Sequence, residues 1–273
     1  MAAALLLASG CAAGYKVAGV ERTALVVDGR YDGRHDAEAE AFLAAYSAKV
    51  DSAMGRIVGR TARELTSGRP ESPMSNLMAD VLAWAAGSFG EKPDFAVYNI
   101  GGIRASIPAG EISFGQVVAS APFENRICFT TLTGRQVERL LAQVARNKGE
   151  GISSSVRLLA TGDSLVAAAV GGKRVDPSGT YRVATLDYLA QGNDGLTEFA
   201  KGCNVYIPGG DNALTRNILA AYFSDMAAKG LAVDAAVEGR MAFLGKGEDA
   251  SSAAEEFYLE HTAGREQSTQ GKQ

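Results

Sequence analysis

The sequence predicts an α+β domain of layered helices and mixed sheets, and three observations lead there. Helical and strand-like patterns mix without a strict strand–helix–strand rhythm, which argues against a doubly wound parallel sheet. Hairpin signals are frequent, among them Gly171-Gly172 directly after the apolar run Leu165–Val170. Hydrophobic residues make up 47% and charged residues 21% of 273, enough for one large core plus extensions.

The first fourteen residues read MAAALLLASGCAAG. A short apolar run followed by small residues and a cysteine has the pattern of a bacterial lipoprotein signal. Residues 1–11 are therefore expected to act as a signal, with Cys11 lipidated. The protein would then sit in the bacterial cell envelope, periplasmic or outer-membrane, held by a lipid anchor. The run is too short to span a bilayer, which takes about 20 apolar residues. Two features depart from the pattern: no Lys or Arg precedes the run, and Ala8 stands where such signals prefer leucine. The bland alternative is a frayed N-terminus with a chance cysteine.

Residues 12–35 are expected to form a β-hairpin, from the alternation in Tyr15–Val20 and Thr23–Asp28. The main domain follows over 36–245. It opens with a helix over 36–56, N-capped by Asp36 and striped by Phe42, Tyr46, Val50 and Met54. Ile57–Leu65 reads as a strand. Ser72-Pro73 opens a second helix with proline at its first position and Leu77, Val81 and Trp84 on its apolar face. Phe95–Tyr98 is a short buried strand, and Ser113 caps a short helix through Val118. Asn125–Leu132 is a strand leading into a capping box, Thr133 to Gln136, and a helix carrying Val137, Leu140, Leu141 and Val144. Val156–Ala160, Leu165–Val170 and Tyr181–Leu186 are strands. Asp211 is expected to cap a long helix that stops at Gly230. Residues 246–273 turn polar and read as a disordered tail, with a helical piece near Ala253–Tyr258.

Composition narrows the chemistry. A formal net charge of −4 argues against a nucleic-acid polymer as partner, but not against single nucleotides. The two histidines, His35 and His261, lie near opposite ends of the chain. A binuclear phosphatase centre needs several imidazoles and carboxylates converging, so none is expected in these residues; an all-carboxylate Mg²⁺ or Ca²⁺ site stays open. The cysteines, Cys11, Cys128 and Cys203, have no metal-binding spacing. Cys128 is expected to pack as a small hydrophobe, with a Cys128–Cys203 disulfide as the alternative.

Three stretches could carry binding chemistry. In Tyr98-Asn99-Ile100-Gly101-Gly102-Ile103-Arg104, a strand ends in a glycine turn that lets backbone approach a ligand. Asn99 offers donors and acceptors there, and Arg104 a charged fork. In Ala121-Pro122-Phe123-Glu124-Asn125, Phe123 is an aromatic behind a fixed backbone. In the segment from Asp187 to Gly195, Tyr188 lies six residues before Asp194. A carboxylate can accept two ribose hydroxyls, and an aromatic face can stack on a base. Taken singly, each stretch also has a structural reading: a plain turn, a core aromatic, a self-capped loop.

Taken together and in order, NxGGIR, PFEN and Y-x-V-A-T-x-D-Y-L-A-x-G-x-D-G resemble the C-terminal, nucleotide-specificity domain of the 5′-nucleotidase family. Glu71, Ser75-Asn76-Leu77 and Asp80 resemble that family's first helix, and the resemblance spans Asp36 to Phe243. It implies a substrate clamp for a nucleoside or nucleoside monophosphate. Phe123 and Tyr188 match the aromatics that sandwich the base, Asp194 the ribose carboxylate, and Asn99 and Arg104 contacts to base, ribose or phosphate, beside Gly101 and Gly102. Pro70 stands where many relatives carry a substrate-binding arginine, with Arg69 shifted by one, so that role is not carried over. Nothing resembles the family's metallophosphatase half, and the 36–56 helix looks like its interdomain linker. The resemblance thus implies no catalytic residue and no cofactor in this chain. It implies two divalent metals on a separate metallophosphatase chain, the pair acting as a hydrolase in nucleotide catabolism. A standalone nucleoside-binding lipoprotein is the alternative.

Overall fold

The structure, a computed structural model, describes residues 17–262 apart from 32 and 34, so the signal over 1–11 with Cys11, and residues 263–273, lie outside the described residues. The chain divides into two units, one ending at Ser47 and one beginning at Ala48.

In the first unit, residues 17–27 form no strand. The hairpin expected over 12–35 is therefore corrected for its described part. A lone two-stranded ribbon is marginal in water, and Val17, Val20, Leu25, Val26 and Val27 are all exposed with no face to bury them. Helix α1 (Ala37–Met54), which begins in the first unit and ends in the second, forms as expected, with the Asp36 carboxylate accepting from the amides of Glu38 and Ala39 at 3.1 Å each. Its Phe42, Tyr46, Val50 and Met54 stripe is exposed.

The second unit holds three sheets. Strands β1 (Ile57–Thr61) and β3 (Gly110–Ser113) pair antiparallel. The strand expected to run to Leu65 stops at Thr61, and Leu65 keeps only an isolated bridge to Ile107. The main sheet has five strands, β2 (Phe95–Tyr98), β4 (Ile127–Thr133), β5 (Gly151–Ile152), β9 (Thr180–Leu186) and β10 (Cys203–Tyr206), in the order β10-β4-β9-β2-β5. Its β2–β9 pair is parallel and its other pairs antiparallel. The third sheet has the order β11-β6-β7-β8, from β6 (Val156–Thr161), β7 (Ser164–Val170), β8 (Lys173–Arg174) and β11 (Met241–Phe243). Gly171 and Gly172 turn the β7–β8 hairpin, both at positive φ, as a tight primed turn requires.

The helices cover these sheets as their apolar faces direct. Helix α2 (Pro73–Ala85) starts from a capping box between Ser72 and Ser75 and buries Leu77, Val81 and Leu82. Helix α3 (Phe114–Ser120) is capped by Ser113, and α4 (Gly134–Arg146) by the Thr133–Gln136 box. Helix α4 buries Val137, Leu140, Leu141 and Val144, the four positions its periodicity marks. Helix α6 (Thr215–Ala228) is not capped by Asp211, which lies in a separate turn. The amide of Thr215 donates to the Asn125 carbonyl at 2.9 Å instead, and so does its hydroxyl. The polar tail is corrected in part: α7 (Ala250–Thr262) packs on β6 and β7. Ala253, Ala254, Phe257 and Tyr258 make a short stripe that seats against Leu159, Ala167 and Ala169, a face left open by the small strand residues. Both described cysteines are free. Cys203 pairs with Thr131, three residues along from Cys128, or about 10 Å of strand, too far for a disulfide. Burial pushes the Cys128 thiol up to about 11, the behaviour of an inert core residue.

A buried ionic knot fastens α2 to β11. The Arg240 side chain, 2% exposed, reaches both Asp80 oxygens (3.1 and 2.6 Å), Glu238 (3.0 Å) and the Ile152 carbonyl (2.7 Å). Glu71 accepts from the Asn76 side chain at 2.6 Å and from the amides of Glu238 and Arg240 at 2.7 and 2.8 Å. The family-like residues of the first helix region thus serve packing between elements.

Candidate functional site

One end of the main sheet gathers the residues singled out in the sequence. The parallel neighbours β2 and β9 both run out there, β2 into the turn Asn99–Gly102 and β9 into the short helix α5 (Asp187–Ala190). Strand β4 is antiparallel to β9, so its entry, Phe123 to Arg126, comes to the same end. Ligand sites commonly open beyond the carboxyl ends of parallel strands, where the chain leaves the sheet.

A cleft of about 310 Å³ opens there, lined by Asn99, Gly101, Gly102, Arg104, Phe123, Asn125, Tyr188 and Asp194. All seven residues named from the sequence therefore share one cavity. Asn125 is an eighth, which the sequence did not mark for binding; its place in the PFEN motif, two residues beyond Phe123, was the available signal.

Asp194 is the hub. Its Oδ1 accepts from the Tyr188 hydroxyl at 2.8 Å and its Oδ2 from the Asn99 amide at 2.6 Å. The Tyr188 phenol is held above its ordinary range by this hydrogen bond to the carboxylate. Asp194 sits at φ 54°, a left-handed conformation aspartate tolerates better than most residues, between glycines 192 and 195, also at positive φ. Asn193 donates to the Tyr188 carbonyl at 2.8 Å and closes the loop. Each carboxylate oxygen keeps a free lone pair, so the pair can still accept two hydroxyls.

The other wall is looser. Phe123 is 46% exposed and Tyr188 37%, far from the core packing that aromatics ordinarily seek. The Arg104 guanidinium lies 5.9 Å from the Phe123 ring centroid, and its backbone amide is fixed to the Ser120 carbonyl at 2.9 Å. Asn99, 4% exposed, donates one amide hydrogen to Asp194 while its Oδ1 has no partner among the described residues. That oxygen is 2.9 Å from where a Cβ on Gly102 would stand, so glycine is needed there to leave it room. Asp187 joins the two walls, its Oδ1 accepting from the amides of Arg126 and Tyr188 at 3.0 and 2.8 Å.

The donor set is one carboxylate, two carboxamides, a phenol and a guanidinium, flanked by aromatic faces. It suits a flat ring bearing hydroxyls and an anionic group. A single carboxylate already shared between two donors does not fit a pair of divalent metals.

The comparisons agree with this architecture. The family model described as 5′-nucleotidase, C-terminal domain, matches residues 48–201, more than half of the 273-residue chain, and the chain belongs to that family. It is 35% identical to Protein UshA of Yersinia enterocolitica over 151 residues, 54% of this chain and 27% of that protein. It is 36% identical to a 5′-nucleotidase of Vibrio vulnificus over 111 residues, 38% of this chain and 20% of that protein. The structure of a 5′-nucleotidase precursor from Thermus thermophilus matches with a TM-score of 0.63 at 25% identity, over 77% of this chain and 43% of that one. The chain thus spans about a quarter of the length of these curated relatives.

Proposed function

We propose that the cleft binds a nucleoside or nucleoside monophosphate, and that the domain serves nucleotide catabolism by presenting this ligand to a metal-dependent phosphoesterase on a separate chain. The observation that carries the reading is the convergence of three separated segments on one cleft around Asp194. Base stacking on Phe123 and Tyr188 supplies affinity, the Asp194 carboxylate accepts ribose hydroxyls, and Arg104 pairs with the phosphate. These contacts bind and orient; interactions equal in ground and transition states do not speed the chemical step. The two divalent metals that would polarise the phosphoryl oxygens and activate water belong to the partner.

The test is phosphate release from AMP with Mn²⁺, Zn²⁺, Co²⁺ or Mg²⁺ supplied in turn. This chain alone should give no rate above background, because phosphate-ester hydrolysis is among the slowest uncatalysed reactions. Adding a matched metallophosphatase chain should produce activity that Asp194→Ala lowers. Metal-dependent turnover by the repurified chain alone would overturn the division of labour. A mixture no more active than the partner alone would favour a standalone nucleoside-binding lipoprotein.

We further propose lipidation at Cys11 and attachment to the envelope membrane. Wild-type protein should enter the detergent phase on fractionation, and Cys11→Ala should release it. Recovery of the wild type wholly in the cytosol would end this reading.

A further inference from the structure

Behind the cleft lies a carboxylate that touches no ligand-facing surface. The Glu150 side chain is 1% exposed. Its Oε2 accepts from the Ile100 amide at 2.7 Å, inside the glycine turn that forms one wall of the cleft. Its Oε1 accepts from the Asn147 side-chain amide at 3.0 Å and from Arg69 at 3.1 Å. The same Asn147 nitrogen donates its second hydrogen to the Asp194 backbone carbonyl at 2.8 Å. A continuous chain of hydrogen bonds therefore runs from the Ile100 turn through Glu150 and Asn147 to the Asp194 loop. Arg69 anchors the middle, and its other terminal nitrogen donates to the Gly149 carbonyl.

We infer that Glu150 is a positioning residue, whose ionised carboxylate holds the two walls of the cleft at the separation a nucleoside needs. The inference rests on the reading of the cleft given above. It accounts for a charge kept where burial disfavours it. It also accounts for Asp194, because a left-handed loop aspartate must be held from behind to present its carboxylate forward.

Burial is the main influence on Glu150 and raises its pKa; the Ile100 amide, Arg69 and Asn147 pull the other way. Arg69 is the charged group facing it, and its partners from the turn and from the end of α4 are neutral. A buried acid with a raised folded pKa contributes stability that is full below its unfolded pKa and lost as pH rises through the folded one. The ionised form therefore costs folding free energy that the protonated form does not. Glu150→Gln removes that cost but turns an amide donor toward the Ile100 N–H or toward Arg69 and Asn147, which loosens the brace.

The experiment uses the full chain, with adenosine as probe. Calorimetry at pH 7.5 should show Glu150→Gln binding about threefold to tenfold more weakly than wild type, the size of one net hydrogen bond. As pH is lowered from 7.5 and Glu150 takes up its proton, the wild-type affinity should fall toward that of the variant, whose own profile stays flatter. Hydrogen exchange of the unliganded proteins should quicken over 99–104 and 193–196 in the variant and stay unchanged over 137–145. Equal affinity with superimposable pH profiles would overturn the inference. So would unchanged exchange in the two walls, and this measurement decides even if wild type binds no adenosine, a result that would instead sink the nucleoside reading.

Discussion

Two polar clusters in this molecule use the same residue types to opposite ends. Around Arg240, every polar group named finds a protein partner: two carboxylates, a carbonyl and the amides gathered by Glu71. Around Asp194, the partners are incomplete, with Asn99 Oδ1 unmatched among the described residues, Asn125 lining the cavity and two aromatics half in water. A closed polar network fixes a fold, whereas an open one waits for a ligand to complete it. The lesson is to judge a cluster by its unspent hydrogen-bonding capacity and not by its charge.

The largest expected effect breaks the closed cluster. Arg240→Ala should cost roughly 1–3 kcal/mol of stability in urea denaturation, since it takes the guanidinium donors from the buried Ile152 carbonyl and from Asp80, which keeps the Ser154 amide. The fraction that stays folded should bind nucleoside as before. A loss below about 1 kcal/mol would mean that the knot is less closed than its distances say. The open cluster should invert this pattern. Phe123→Ala or Tyr188→Ala should weaken nucleoside binding about tenfold, from stacking worth about 1–3 kcal/mol per base. Their melting temperatures should move less than that of Arg240→Ala, because neither ring is part of the buried core. Unchanged affinity in both variants would move the site elsewhere. The smallest effect is the few-fold change expected of Glu150→Gln, which belongs to neither cluster and steadies one of them.

Much of the fold was legible, and the reason is local. Capping boxes at Ser113 and Thr133, and Pro73 following Ser72, announce helices by side chains that bond their own backbone, and all three helices form. The seven cleft residues were legible only together, through three ordered motifs that resemble the family's specificity domain; singly, each stretch also reads as a turn, a core aromatic or a self-capped loop. What escaped depends on distant partners. Strands β5, β8 and β11 have two or three residues each, too few for a periodicity. The docking of α7 depends on Ala167 and Ala169, far back in the chain. The Asp211 cap failed because Asn125, from another element, already serves the start of α6. Glu150 was invisible for the same reason: its neighbours in sequence are glycines, and its partners lie up to 81 positions away.

The bond between Asn99 and Asp194 closes a loop of 95 residues. Neither half of the cleft can be assembled from a local fragment, so recognition competence and global folding arrive together. Any ligand of this cleft is then a thermodynamic sensor of the whole domain. Saturation at about a hundred times Kd would raise the unfolding free energy by about 2.7 kcal/mol.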